Sequence, residues 1–139
     1  MNFDNSTCLY CQHTTDNLMI KICDLGVSTL FLFREQTYRG RCLVAYKDHV
    51  NEFHDLPRSE MHALMDDVAR VTKAMKEALN AEKINIGAYA DKLAHVHFHL
   101  VPKYVDGPDY GGTFTMNPQK TYLIDEEYNA LIESIKKRL

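Results

Sequence analysis

Histidine alternates with apolar residues along one short segment, and this pattern constrains the fold more than any other feature of the chain. The segment reads His95-Val96-His97-Phe98-His99-Leu100-Val101. Side chains of a β-strand point alternately to the two faces of a sheet, so the period of two predicts a strand over residues 95–101. The three histidines then share one face, about 7 Å apart along the backbone. The intervening apolar side chains share the other face, which belongs in the core.

The other patterns along the chain predict an α+β fold. Strand-like runs occupy residues 19–23, 28–33, 41–46 and 84–89. From residue 57 to residue 79 the period changes, because apolar residues recur every three or four positions; they are Met61, Leu64, Met65, Val68, Val71, Met75 and Leu79. This spacing predicts one long amphipathic helix.

The end of the chain supplies a second helix. Tyr128, Leu131 and Ile135 have helical spacing, and acidic residues 125–127 suit its first turn. Hairpin-like connections on either side of one crossover favour a largely antiparallel sheet of about five strands. The length fits a single domain over residues 1–139. The irregular stretch of residues 104–121 is long for a connection and is typical of a functional loop.

Composition narrows the choice of partners. The chain has 16 Lys and Arg against 19 Asp and Glu, so no basic surface is available for nucleic acid. No apolar run is long enough to span a bilayer, and residues 1–5 carry no positively charged leader. We therefore expect a cytoplasmic protein with neither a nucleic acid nor a membrane as partner. Without a sign of secretion, the four cysteines favour a metal site or free thiols over disulfides.

A row of imidazoles on one sheet face is compatible with three interpretations. A neutral imidazole is a nucleophile at neutral pH, and its neighbours can hold anionic oxygens, as phosphoryl or nucleotidyl transfer requires. Alternating histidines can also chelate a divalent metal. The third possibility is a polar sheet face without chemistry. The spacing alone does not choose between nucleophile and metal ligand.

Residues 95–101, followed by Pro102, match a known motif at every position: His-φ-His-φ-His-φ-φ, where φ is apolar. The sequence thereby resembles the histidine triad (HIT) family of nucleotide hydrolases and transferases. Weaker matches occur in the expected order. Cys8-Leu9-Tyr10-Cys11 resembles the start of many bacterial members, residues 42–49 resemble a strand ending in Lys-x-His, and Asn85 and Gly87 occupy the strand before the triad.

The resemblance implies a HIT-like fold and an enzyme that cleaves an AMP-type conjugate, with a purine base, at the α-phosphate. His97 would be the nucleophile and would form a covalent nucleotidyl-histidine, which water then hydrolyses. His99 would hydrogen-bond the phosphate or the bridging atom of the leaving group. His95 and His49 would orient the nucleophile or bind zinc. There are two alternatives. One is an adaptor protein that binds nucleotides with little turnover, and the other is an enzyme with a catalytic metal on all three triad histidines.

The same resemblance implies the nucleotide-binding residues. Leu9, Tyr10 and Phe33 would line the base pocket, Glu35 would accept hydrogen bonds from the ribose, and Asn85 would contact phosphate. The implied set is completed by Lys92, Leu93, His97 and His99. Many members carry Gly-Gln-Ser/Thr before the triad, whereas this chain has Ala90-Asp91-Lys92-Leu93. Lys92 could meet a phosphate as a point charge.

Cys8 and Cys11 form a Cys-x-x-Cys pair, which is half of a tetrahedral zinc site. The missing ligands would be histidines, and the resemblance implies His49 and His95. Such a structural zinc would fasten the N-terminal segment beside the triad. His13 is a competing ligand, and two free thiols packed in the core are the alternative. Family members of this size usually form twofold dimers, so we also expect a homodimer whose site is closed in part by residues 104–121.

Overall fold

The computed structural model describes residues 6–139. The prediction that residues 1–5 carry no leader lies outside the described residues. Five strands form one sheet: β1 (Met19–Asp24), β2 (Ser28–Phe33), β3 (Cys42–Tyr46), β4 (Lys83–Gly87) and β5 (His97–Lys103). Their order across the sheet is β1-β2-β3-β5-β4, and every neighbouring pair is antiparallel. The two helices are α1 (Arg58–Leu79) and α2 (Asp125–Lys136), with a short 3-10 helix (Phe53–Asp55) before α1. The α+β class with a five-stranded antiparallel sheet is thereby confirmed.

One face of the sheet carries both helices and the main core. The apolar stripe of α1 supplies Leu64, Val68, Val71 and Met75, and α2 supplies Tyr128, Leu131 and Ile135. From the sheet, Leu30, Leu32, Val44, Phe98 and Leu100 meet them. The helical periodicity therefore predicted the correct packing faces. Helix α1 begins at Arg58, one residue later than the pattern suggested, because Pro57 is its extended N-cap residue.

The central strands are buried on both faces. A second apolar cluster lies on the side of the sheet away from the helices and contains Phe31, Phe33, Leu43 and Ala45 from β2 and β3. The N-terminal segment covers this cluster with the buried side chains of Cys8 and Tyr10. This cover explains why β2 and β3 have nearly continuous apolar sequences rather than a clean alternation.

The triad strand starts two residues later than the alternation suggested. β5 begins at His97, so His95 and Val96 precede it. The chain still runs beside β3 there, because the Tyr46 N–H donates to the Val96 carbonyl and the Val96 N–H donates to the Val50 carbonyl. Val96, Phe98 and Leu100 lie in the main core, as the alternation predicts.

The long stretch after β5 lies against the body of the protein. Lys103 Nζ donates to the carbonyls of Asp109 and Gly112, each at 2.7 Å. The Thr115 N–H donates to the Tyr38 hydroxyl, which itself bonds to the Asp109 carboxylate. These contacts fix the loop beside Lys103, which is the last residue of β5, and beside Tyr38. Within residues 6–139, neither helix is long and apolar enough to cross a bilayer.

Candidate active site and metal centre

The three triad histidines are buried, with exposed fractions of 1% for His95, 5% for His97 and 7% for His99. The ring centroids of His97 and His99 lie 5.1 Å apart. The Tyr10 ring packs on two of the three histidines, with its centroid 4.9 Å from that of His95 and 5.2 Å from that of His97. The sheet face that carries the imidazoles is thus covered by the N-terminal segment rather than left open to solvent.

His97 has one ring nitrogen bound inside the protein. Its Nδ1 lies 2.6 Å from the backbone carbonyl of His95. A carbonyl can only accept, so Nδ1 carries the proton and Nε2 keeps its lone pair. Burial lowers the pKa of His97, and its hydrogen bond to the His95 carbonyl acts in the opposite direction. The ring is therefore a neutral imidazole with a free Nε2.

In His99, unlike His97, Nδ1 faces a hydrogen-bond donor. Its Nδ1 lies 3.0 Å from a guanidinium nitrogen of Arg41, which is completely buried. Burial lowers the pKa of His99 to about 3, with further contributions from Arg41 and His97. His99 is therefore neutral at physiological pH.

His95 belongs to a second cluster, made of Cys8, Cys11, His49 and His95. One ligand atom from each residue lies within 4.8 Å of all the others. His95 Nδ1 is 3.3 Å from Cys8 Sγ and 3.6 Å from Cys11 Sγ, and His49 Nδ1 is 3.4 Å from Cys11 Sγ. His13 is not part of this group. No disulfide joins the cysteines in the described part of the chain.

This cluster fits a metal ion in its donor set and in its spacing. Two thiols and two imidazoles are a common ligand set for tetrahedral zinc, in which sulfur and nitrogen ligands lie about 3.6 Å apart. His95 Nε2 is 2.7 Å from the Tyr46 carbonyl, so it carries the proton and leaves the Nδ1 lone pair for a metal. Burial lowers the pKa of His95, which favours the neutral form that binds metals.

A cavity of about 410 Å³ opens beside the triad. This volume is within the usual range for small-molecule sites. Polar groups in its lining come from His97, His99, Asp91 and Lys92. The remaining lining residues are Tyr10, Leu18, Met19, Phe33, Leu43, Ala90, Leu93, Met116 and Asn117. The cavity therefore combines histidines with an apolar and aromatic wall.

The structure brings most, but not all, of the predicted nucleotide-binding residues to this cavity. Tyr10, Phe33, Lys92 and Leu93 line it together with the two histidines, whereas Leu9, Glu35 and Asn85 do not. Asn85 lies in β4 opposite Val101, on the strand next to the triad.

Glu35 is 4% exposed, and its carboxylate is engaged inside the protein. It accepts hydrogen bonds from the N–H and hydroxyl groups of Thr37 and from the N–H groups of Lys120 and Thr121. Burial alone would raise the pKa of Glu35, but these bonds outweigh it and lower the pKa. The carboxylate thus ties the chain before α2 to the end of β2, and its contact with the ribose stays a prediction.

Sequence reasoning missed one residue of the site, and for the expected loop of residues 104–121 it did not identify which residues reach the cavity. The missed residue is Arg41, which a period-two pattern treats only as the first residue of a strand. The loop segment consists of Phe114, Met116 and Asn117: the Phe114 ring lies 6.1 Å from the His99 ring, and the other two residues line the cavity. The position of this segment depends on its tertiary anchors, which leave no sequence signal beyond the length of the loop.

The HIT domain family model matches residues 16–106, about two thirds of the chain. Among curated proteins, the adenosine 5′-monophosphoramidase hnt1 of Schizosaccharomyces pombe is 26% identical over 134 residues. That match covers 91% of this chain and 99% of the relative. These findings confirm the expected class, an enzyme of the HIT hydrolase type.

Solved structures agree on the fold. A histidine triad protein from Sinorhizobium meliloti superposes with a TM-score of 0.84 at 21% identity, covering 91% of this chain and 94% of that one. A zinc-bound histidine triad family protein from Mycobacterium smegmatis gives a TM-score of 0.71 at 20% identity, with 96% of each chain covered. With its triad at the start of β5 and its five-stranded sheet, the chain belongs to the HIT family.

Proposed function

We propose that the protein hydrolyses an AMP-type conjugate at its α-phosphate through a covalent nucleotidyl intermediate on His97. The observation that carries this proposal is the hydrogen bond from His97 Nδ1 to the His95 carbonyl. Because Nδ1 holds the proton, the lone pair of Nε2 is available as a nucleophile on a residue that lines the cavity. The related adenosine 5′-monophosphoramidase supports a phosphoramidate as substrate.

The reaction would proceed in two displacements. In the first, His97 Nε2 forms a bond to phosphorus, the bond from phosphorus to the leaving nitrogen breaks, and that nitrogen takes a proton from solvent. The intermediate is an imidazolium whose Nδ1 keeps its proton and its hydrogen bond to the His95 carbonyl. In the second, water attacks phosphorus, the bond to Nε2 breaks, and one proton returns to solvent. The sum is conjugate plus water giving AMP plus amine.

The cavity lining suggests how the substrate is oriented. The aromatic and apolar wall, with Tyr10, Phe33 and Leu93, would hold the base by stacking and packing. The phosphate would then lie against His97 and His99, with the exposed Lys92 as a point charge at the rim. Lys92 stands in the segment where many family members have Gly-Gln-Ser/Thr, so contacts to the leaving group would differ from theirs.

We also propose that the cluster of Cys8, Cys11, His49 and His95 holds a structural zinc ion. The fit of its donor set and spacing supports this assignment. A bound zinc would fix the ring of His95 and cross-link the N-terminal segment to the sheet. Since the His95 carbonyl accepts from His97 Nδ1, the same residue would link the metal to the orientation of the nucleophile.

The proposal is tested by the mass of the intact protein after brief incubation with adenosine 5′-phosphoramidate. The sample is quenched under denaturing conditions at high pH, because acid cleaves a phosphoramidate bond. We expect wild type to gain the mass of an AMP group and His97→Asn to gain none. Wild type should also release AMP at a rate that falls by at least about 10³-fold in His97→Asn, since the nucleophile is lost.

His54→Asn is the matched control, because His54 is an exposed histidine outside the site. It should form the adduct as wild type does. An adduct of equal size on His97→Asn would contradict the proposal. AMP binding without adduct or turnover in wild type would instead favour a nucleotide-binding protein, and Asp91 and Lys92 would then be the first residues to exchange.

A further inference from the structure

Arg41 lies directly behind the site and is completely buried. Its guanidinium carbon is 4.2 Å from the ring centroid of Phe33 and 5.1 Å from that of Phe114, so the group is held between two aromatic rings. One terminal nitrogen donates to the Met116 carbonyl at 2.9 Å, and the other lies 3.0 Å from His99 Nδ1. Arg41 therefore connects β3, the triad strand and the loop that lines the cavity.

The contact between Arg41 and His99 allows only one distribution of protons. Guanidinium nitrogens donate hydrogen bonds and have no lone pair with which to accept one. His99 Nδ1 must therefore be the acceptor, and the proton of the neutral ring must be on Nε2. His97 has the reverse tautomer, because its Nδ1 donates to a carbonyl. Two neighbouring rings, 5.1 Å apart, thus offer a lone pair on one Nε2 and an N–H on the other.

We propose that Arg41 is a positioning residue that holds His99 as an Nε2–H donor towards the phosphate or leaving-group atom. This inference rests on the proposed hydrolysis and adds to it. Without Arg41, the His99 ring could carry its proton on Nδ1 and present a lone pair to an anionic substrate, which would repel it. With Arg41, the ring donates a hydrogen bond and keeps its proton throughout, so no atom is transferred at this step.

The surroundings of Arg41 strengthen its effect on His99. Its two terminal nitrogens bond to neutral partners, and within residues 6–139 its Nε has no hydrogen-bond partner. Glu35 is the carboxylate that acts on it electrostatically, and desolvation still lowers the pKa of Arg41 to about 10, so the group remains a cation at neutral pH. A buried cation on Nδ1 polarises the ring and makes Nε2–H a stronger donor.

The tautomer can be measured directly in the wild-type protein. Nitrogen NMR of ¹⁵N-histidine-labelled protein distinguishes protonated from unprotonated ring nitrogens, and the His99 signals are identified by their loss in His99→Gln. We expect His99 Nδ1 to be unprotonated and Nε2 to be protonated at neutral pH. A protonated Nδ1 would overturn the inference. This measurement needs no turnover, so it stands apart from any failure of the proposed hydrolysis.

Kinetics of a double-mutant cycle separate positioning from simple support of the fold. With adenosine 5′-phosphoramidate, Arg41→Met should lower kcat/KM by about 10- to 100-fold in the wild-type background. In the His99→Gln background the same change should have an effect of less than about threefold, because the group that Arg41 orients is gone. Effects that multiply independently in the double variant would overturn the inference.

Two further variants distinguish a loss of positioning from a loss of the folded structure. Arg41→Lys keeps a buried cation and a donor, so it should recover part of the lost activity and retain the Nε2–H tautomer. Arg39→Met removes the same charge from an exposed arginine two positions away and should leave kcat/KM unchanged. If Arg41→Met does not fold, the wild-type tautomer and Arg41→Lys still decide the question. A Nδ1-protonated His99 in either protein would contradict the assignment.

Discussion

Each triad histidine has one ring nitrogen committed to a partner inside the protein. His95 Nε2 and His97 Nδ1 bond to backbone carbonyls, and His99 Nδ1 bonds to Arg41. In the proposed mechanism, the other nitrogen would bind a metal in His95, attack phosphorus in His97 and donate a hydrogen bond to substrate in His99. Three chemically identical side chains would then have three different roles because their buried partners differ.

Burial of neutral His99 predicts a loss of stability in acid. The pKa of His99 is about 3 in the folded protein and about 6.5 in an unfolded chain. Between these values the unfolded state binds a proton that the folded state does not, so stability falls as the pH drops below about 6.5. Between pH 7 and pH 5 this histidine alone should lower the free energy of unfolding by about 2 kcal/mol.

The measurement is guanidinium-induced unfolding of wild type and His99→Gln at both pH values. A glutamine can still accept from Arg41 but does not titrate, so the variant should lose about 2 kcal/mol less than wild type over this interval. Titratable groups that do not contact residue 99 contribute alike to both proteins and cancel. Equal acid sensitivity in the two proteins would mean that His99 titrates normally when folded.

A zinc ion bound by Cys8, Cys11, His49 and His95 would attach the N-terminal segment to the sheet. Cys8 and Cys11 lie on either side of Tyr10, whose ring covers His95 and His97. Burial and the neighbouring Cys8 raise the pKa of the Cys11 thiol to about 11 in the metal-free chain. Binding of zinc would therefore release protons as the thiolates form, and it would weaken at acid pH.

Loss of one sulfur ligand should detach this segment. We expect purified wild type to contain stoichiometric zinc by elemental analysis, and Cys11→Ser to lose most of it and to melt at a lower temperature. Because Tyr10 lines the cavity, AMP affinity should fall as well.

Cys23→Ser provides the comparison, since Cys23 is half-buried in β1 outside the cluster. It should retain zinc, and its melting temperature should change less than that of Cys11→Ser. Zinc content that is equal in all three proteins, or absent from wild type purified without chelators, would argue for free thiols.

At the scale of the whole molecule, the edge of the sheet formed by β4 is a candidate contact surface for a second copy of the chain. Within residues 6–139, β4 pairs along one side only, with β5. Ile86 on this strand is 55% exposed and borders a groove that also includes Thr72, Lys76 and Glu77 of α1. An unpaired strand next to a long helix is a surface that a second copy could cover. The homodimer and the cytoplasmic location both stay predictions.

Size-exclusion chromatography with light scattering checks the dimer. Wild type should have about twice the 16.1 kDa mass of one chain, and Ile86→Lys should shift it towards the monomer because a charge would be buried at the edge. Ile124→Lys is the control, since Ile124 is equally exposed but precedes α2. A monomeric wild type would disprove this prediction.

The sequence by itself determined the elements and the faces they bury. A period of two around His97 and a period of three to four along α1 are local consequences of backbone geometry, so they predict strand, helix and core side correctly. The Cys-x-x-Cys motif and the histidine triad each span only a few residues, so the sequence shows these candidate ligands and nucleophiles directly. These local patterns sufficed for the α+β class, and the resemblance to the HIT family added the cavity-lining residues Tyr10, Phe33, Lys92 and Leu93.

Only the tertiary structure decided which groups meet and in which protonation state. Cys8 and His95 are 87 positions apart, and Arg41 and His99 are 58 apart, yet each pair is in contact. The role of an imidazole depends on which partner its other nitrogen finds, and that partner is supplied by a distant strand or loop. The hydrogen bonds from the N–H groups of residues 120 and 121 to the Glu35 carboxylate likewise join distant parts of the chain. Periodicity cannot encode such contacts, because they arise from the packing of the sheet, the N-terminal segment and the loop after β5.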